Sequence, residues 1–136
     1  MMKNKICTSL EQSKKLIELG IDVNTADMFW DTLFAKKPEA QIDNHHLIDE
    51  IDDEHRVPAW SLTALLGLLP PYLFEFSRGI DLNIYPNLNC IGWHCSYMLN
   101  NIESMKKDKF KKITNGDDPI DAAFEMVCWL KENKKI

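Results

Sequence analysis

The chain has 136 residues, which is enough for one domain with a single hydrophobic core. Its 45% hydrophobic and 27% charged residues are typical of a globular protein and exclude an intrinsically disordered one. The net charge of −5 disfavours general nucleic-acid binding, because neutralising phosphates requires a basic surface. No apolar run approaches the roughly 20 residues of a membrane span, and no apolar segment follows the charged N-terminus, so we expect a cytoplasmic protein without a signal peptide.

The first predicted helix covers residues 9–19. Thr8 and Glu11 have the spacing of a capping box at its start. Gly20 stands where a left-handed residue commonly ends a helix, and Ile21 can make the apolar contact that closes such an end.

Residues 25–33 are ambiguous, because Met28, Phe29 and Trp30 suit a strand while the alternation of apolar and polar residues is imperfect. The chain then becomes polar and acidic over about 36–56, which predicts a long surface connection, compatible with one helical turn around 47–51. A second helix is predicted over 62–69. Ser61 is its expected N-cap, Trp60 and Leu65 have the spacing of a hydrophobic staple, and two prolines follow it.

Four strand candidates follow the second helix. The first two flank Ser77-Arg78-Gly79, which predicts a hairpin connection in which the glycine adopts a positive φ. Turn residues separate the later candidates as well. The four candidates are residues 72–76, 80–85, 90–99 and 110–114.

The clearest helix signal lies at the end of the chain. Asp118 is the expected N-cap, Pro119 the first helical residue, and Asp121 is placed for a reciprocal cap. An apolar stripe and an apolar flank predict that this helix is covered on two sides. The stripe is Ile120, Ala123, Phe124, Val127 and Leu130, and the flank is Ala122, Met126 and Trp129.

Strands joined by short turns pair antiparallel, and helices must cover a face of the sheet that they form. The predicted fold class is therefore α+β. We expect an antiparallel sheet of three to four strands, packed by an N-terminal helix, a short middle helix and a C-terminal helix, in one domain over residues 1–136.

Four blocks of sequence stand in order along the chain: residues 7–16, residues 24–28, residues 57–62 with Ala64, Leu65 and Leu66, and residues 119–130. Together they resemble a family of small uncharacterised proteins encoded in prophages and mobile elements of gut Bacteroidetes. The second half is more loosely similar to small phage domains described as an α-β-α sandwich. The resemblance implies an accessory role in a phage or mobile element, and it assigns no catalytic residue.

Two clusters of residues could hold a metal ion. Cys90, His94 and Cys95 lie close in sequence, but alternation along a strand places Cys95 on the face opposite to the other two. His45, His46 and His55 stand among carboxylates without the spacing of a known metal motif. We therefore predict buried thiols and a solvated acidic loop, with no metal and no cofactor.

No motif for catalysis is visible in the sequence. Ser61 is a helix cap without a nucleophile elbow, and Cys128 lies late in a helix, away from the N-terminal end that would lower its pKa. Neither of the glycine-rich phosphate-binding patterns occurs. We predict that the protein is not an enzyme and that all its cysteines are reduced thiols.

The remaining candidates concern binding. Trp129, Met126 and Trp60 are the predicted interaction residues, because the last helix has more apolar circumference than one sheet face can cover. The leading hypothesis is a non-catalytic domain that binds another protein or associates weakly with itself. The alternative is a nucleic-acid-associated accessory protein that uses the basic run Lys106–Lys112, although those lysines also suit an edge strand. A metal-dependent enzyme built around the histidines is the least favoured class.

Overall fold

The computed structural model describes residues 6–31, 39–42, 56–75, 78–86, 92–99 and 110–136. Within these ranges the chain forms three α-helices and two antiparallel sheets, which confirms the α+β class. The helices are α1 Leu10–Glu18, α2 Leu62–Leu68 and α3 Pro119–Glu132, with a short 3-10 helix at Val23–Thr25. The strands are β1 Met28–Asp31, β2 Glu39–Ile42, β3 Arg56–Ala59, β4 Tyr72–Glu75, β5 Arg78–Pro86, β6 Trp93–Leu99 and β7 Phe110–Gly116.

The predicted antiparallel sheet is the four-stranded one, in the order β4-β5-β6-β7. Its first hairpin differs from the prediction, because Arg78 and Gly79 belong to β5 and pair with Glu75 and Phe74. β5 begins two residues earlier than predicted, which pairs more backbone groups with β4, whereas β4 ends one residue earlier than predicted. β7 is an edge strand of this sheet, as the lysines of its sequence suggested.

A three-stranded sheet, in the order β2-β1-β3, was not predicted. β1 lies in the ambiguous segment, and β2 lies inside the segment that was interpreted as a surface connection. Pro58 of β3 pairs opposite Phe29 of β1, and β3 is an edge strand, where a residue without an N–H is tolerated. The helical turn predicted around 47–51 lies outside the described residues.

The start of α1 is one residue later than predicted. Ser9, not Thr8, is the N-cap: its hydroxyl accepts from the Gln12 N–H at 3.1 Å, and the Gln12 side chain accepts from the Ser9 N–H at 2.9 Å. The predicted end is confirmed. Gly20 has φ +86°, and the N–H of Ile21 donates to the carbonyl of Leu16 at 3.1 Å, which is a Schellman motif.

Thr8 is unavailable as a cap because it joins the N-terminal segment to the residue that precedes α2. Its N–H donates to the Trp60 carbonyl at 2.8 Å, and its hydroxyl accepts from the Trp60 N–H at 3.1 Å. The same hydroxyl lies 2.8 Å from the Ser13 hydroxyl, and the Thr8 carbonyl accepts from the Trp30 indole at 2.9 Å. Thr8 and Ser13 are both fully buried.

α2 begins as predicted. The Ser61 hydroxyl accepts from the Ala64 N–H at 3.2 Å, and the two residues of the predicted staple, Trp60 and Leu65, are fully buried in the main core. Asp27 holds this helix start in place, because it accepts from both the N–H and the hydroxyl of Ser61.

α3 also begins as predicted, with Asp118 accepting from the Asp121 N–H at 2.8 Å and Pro119 in the first turn. Gly116 allows β7 to turn directly into α3, since a Cβ there would lie 2.5 Å from the Ala122 nitrogen. Asp121 also accepts from the side chain of Gln12 at 2.8 Å, which links the first helix to the last.

The main core surrounds α3. All five residues of its predicted stripe are buried, together with Cys95 and Tyr97 from β6 and with residues of α1 and α2. Contacts with the four-stranded sheet on one side and with α2 on another explain the wide apolar circumference of α3. None of the described helices is long and apolar enough to cross a membrane.

Candidate interaction surfaces

Two of the three predicted interaction residues are not accessible. Trp60 and Met126 have no exposed surface, so the prediction that they line a binding patch is wrong. Met126 belongs to the main core around α3, and Trp60 is held inside by its backbone bonds to Thr8 and by an indole bond to Thr25 at 2.9 Å. Trp129 remains as the accessible member, half-buried at the margin of the core.

Two lysines approach the ring of Trp129. The ammonium of Lys112 lies 5.9 Å from the ring centroid and that of Lys135 lies 6.0 Å from it, at the outer limit of cation–π contact. The direct turn at Gly116 lays β7 along α3, so the start of the strand adjoins the end of the helix. Trp129 and the basic run, which the sequence suggested separately, therefore meet on one surface. Of that run, the structure describes the side chain of Lys112.

The backbone just after α3 is strained in a way that positions Lys135. Lys134 has φ +56°, the left-handed conformation that favours glycine. The N–H of Lys135 donates to the carbonyl of Leu130 at 2.8 Å and that of Lys134 to Lys131 at 3.2 Å, so α3 ends in the same motif as α1. Here, however, a lysine stands where α1 has Gly20.

Carboxylates interrupt this basic surface. Glu125 and Glu132 lie one turn before and one turn after Trp129 on α3, and both are exposed. Glu132 lies 3.9 Å from the ammonium of Lys15 on α1, a distance at which an exposed ion pair contributes little stability. The surface formed by Lys112, Trp129 and Lys135, called here the Trp129 surface, is thus a small basic area and not a continuous basic track.

A second accessible surface lies on α2. Its seven residues carry no charge and include five apolar side chains, of which Leu65 is buried and Leu62, Ala64 and Leu68 are half-buried against the main core. Leu66 is 38% exposed, and the adjoining 3-10 helix presents Val23, which is 45% exposed. We call this area, formed by α2 and the 3-10 helix, the α2 surface.

The face of the four-stranded sheet opposite α3 carries polar side chains. His94 and Ser96 share that face, since they flank Cys95, which points into the core. The ring of His94 lies 5.3 Å from that of Tyr85 on β5. The His94 Nδ1 and the Ser96 Oγ are buried without a hydrogen-bond partner in the described part of the chain.

Two of the described thiols, those of Cys95 and Cys128, and the cap serine are engaged in the core and in the helix start. Burial raises the pKa of Cys95 to about 12, and a hydrogen bond from Thr114 opposes this only in part. Burial, and then Glu125 and Glu132, raise the pKa of Cys128 to about 12, so neither thiol is a thiolate near neutral pH. The Ser61 hydroxyl donates to the Asp27 carboxylate and accepts from the Ala64 N–H, which is the role of a helix cap.

The residues of both candidate metal clusters fall mainly outside the described ranges. Cys90, His45, His46 and His55 lie there, and among the described residues no three His, Cys, Asp or Glu side chains come together as a metal site. Sequence reasoning missed Asp27 and the left-handed Lys134. Neither residue belongs to a recognisable motif, since Asp27 acts on a residue 34 positions away.

Function must therefore be inferred from the chemistry of these surfaces. The Trp129 surface offers an aromatic ring with two cations, and the α2 surface offers uncharged apolar side chains. No protein-family model, curated protein or solved structure matches this chain.

Proposed function

We propose that this chain is a non-catalytic protein-interaction domain, acting as an accessory protein of a phage or mobile element. The genetic setting rests on the resemblance of the four sequence blocks. The interaction rests on the α2 surface. The alternative of nucleic-acid association draws its support from Lys112, whose ammonium approaches the Trp129 ring.

The observation that carries the proposal is the imbalance between the composition of α2 and its burial. A helix in which five of seven side chains are apolar is normally buried over most of its surface, because fully burying an exposed leucine contributes about 1.5–3 kcal/mol of transfer free energy. α2 buries Leu65 fully and leaves Leu66 among the large exposed apolar side chains. A second protein surface would remove this apolar area from water.

We assign a second copy of this chain as the occupant. α2 carries no charged side chain, so a two-fold contact between two α2 helices brings no like charges together. This assignment agrees with the weak self-association expected from the sequence.

Analytical ultracentrifugation over a concentration series tests the assignment. The wild type should sediment as a reversible dimer at high concentration, and Leu66→Glu should be monomeric at the same concentrations. Ile136→Glu is the matched control, since Ile136 is 36% exposed but lies beyond α3, and it should dimerise like the wild type. A monomeric wild type, or equal dimerisation of Leu66→Glu and wild type, would overturn the proposal.

A further inference from the structure

The Trp129 surface has a chemical character that α2 lacks. It places two ammonium groups within about 6 Å of one half-buried indole ring. Three independent elements of the sequence converge there: the start of β7, the last turn of α3 and the residues that follow it. Such a surface can bind a carboxylate and an apolar group side by side.

The end of α3 supports a binding role for this surface. A left-handed non-glycine residue is disfavoured by about 1–2 kcal/mol, and glycine would make the same turn without that strain. The chain places Lys134 there, and the motif folds Lys135 back so that its ammonium approaches the Trp129 ring. The lysine at this position adds positive charge beside Lys135, which glycine would not.

The charges around the ring distinguish between two kinds of anionic partner. A single-stranded nucleic acid needs a continuous basic groove along several phosphates. Here Glu125 and Glu132 flank Trp129 on α3, so the basic area is too short to follow several phosphates. A discrete pair of ammonium groups beside an indole ring fits one or two carboxylates next to an apolar side chain.

We propose that the Trp129 surface binds an acidic segment of another protein, in which carboxylates contact Lys112 and Lys135 and an adjacent apolar side chain packs on the Trp129 ring. This partner is distinct from the second copy assigned to the α2 surface. The domain would then contact two chains through two surfaces.

Peptide titration followed by ¹⁵N NMR tests the proposal on the full chain. The probe is a short labelled peptide that alternates glutamate with leucine, and thymidine oligonucleotide is titrated in parallel. The peptide should shift the indole N–H signal of Trp129, identified with Trp129→Phe. The signals of Trp30 and Trp60 should stay in place, because their indoles donate to Thr8 and Thr25 inside the protein.

Charge reversal adds the specific control. Lys112→Glu and Lys135→Glu should each weaken peptide binding about tenfold, and binding should weaken further as salt rises from about 50 to about 200 mM. Lys14→Glu, an exposed lysine of α1, should leave the affinity within about twofold of wild type.

Three results would overturn the inference. The peptide fails to shift the Trp129 signal, or the reversals weaken its binding no more than Lys14→Glu does, or the oligonucleotide binds more tightly than the peptide and depends on the same lysines. The last result would assign the surface to nucleic acid. Leu66→Glu changes the α2 surface and leaves the Trp129 surface intact. Peptide binding can therefore be measured on this variant, so a loss of the proposed peptide binding is distinguished from a loss of the proposed dimer.

Discussion

Thr8→Val tests the most connected buried polar group described above. Valine has nearly the shape of threonine, so the substitution removes the hydroxyl without opening a cavity. That hydroxyl is the acceptor for the Trp60 N–H at 3.1 Å and the partner of the Ser13 hydroxyl at 2.8 Å, and Thr8 has no exposed surface. The substitution therefore leaves two buried polar groups without a partner.

The expected loss follows from that count. A buried donor or acceptor that loses its partner costs about 1–3 kcal/mol, so Thr8→Val, which leaves two such groups, should lower the free energy of unfolding by about 2–6 kcal/mol. Thr8→Ser keeps the hydroxyl and loses one methyl group, for which about 1 kcal/mol is expected. Adding Ser13→Ala to Thr8→Val removes one of the orphaned groups and should recover about 1 kcal/mol.

Urea denaturation followed by tryptophan fluorescence measures all three variants against the wild type. A free energy of unfolding for Thr8→Val within about 0.5 kcal/mol of the wild type, the range usual for a neutral surface change, would contradict a role for the hydroxyl. An equal loss of stability in Thr8→Ser would contradict it as well, since packing of the methyl group would then be the cause.

Further substitutions test the helix ends, the core and the thiols. Asp118→Ala should lower the free energy of unfolding by about 1 kcal/mol, and an unchanged denaturation midpoint would contradict its role as N-cap. Phe124→Ala should lower it by about 3–5 kcal/mol, because the side chain is buried in the main core, and a wild-type melting temperature would contradict this. Lys134→Gly should raise the free energy of unfolding by about 1 kcal/mol by relieving the left-handed strain, whereas a loss measured by the same denaturation would contradict it. Since burial raises the pKa of both Cys95 and Cys128 to about 12, iodoacetamide should alkylate them near neutral pH only in denaturant, and mass spectrometry of the native protein would reveal any exception.

Local capping chemistry made the helices predictable. The helix ends depend on hydrogen bonds between residues that are close in sequence, so they could be predicted from the local sequence. This holds for Ser61, Gly20 and the Asp118-Pro119 pair. The choice between Thr8 and Ser9 could not be made in this way. Each has a suitable acceptor side chain three residues later, and only the distant contact with Trp60 decides.

The three-stranded sheet, in contrast, could not be predicted from the local sequence. β2 and β3 are four residues long, too short for a clear alternation, and they are specified by pairing with β1 across the chain. The Trp129 surface was predictable only in part. Trp129 stood out by its position on α3, but the burial of Met126 depends on how the other elements pack around α3, and the approach of Lys112 depends on the turn at Gly116.

The link between Gln12 and Asp121, which are 109 residues apart, has a consequence for synthesis on the ribosome. α2 packs against α3, and Leu16, Trp60 and Leu65 belong to the same core cluster as the buried residues of α3, which follows every other described element in the chain. A nascent chain that ends before Pro119 would therefore lack the part of this core that α3 supplies. Such contacts between distant positions delay folding until late in translation, and they make the unfinished chain a substrate for chaperones that bind apolar segments.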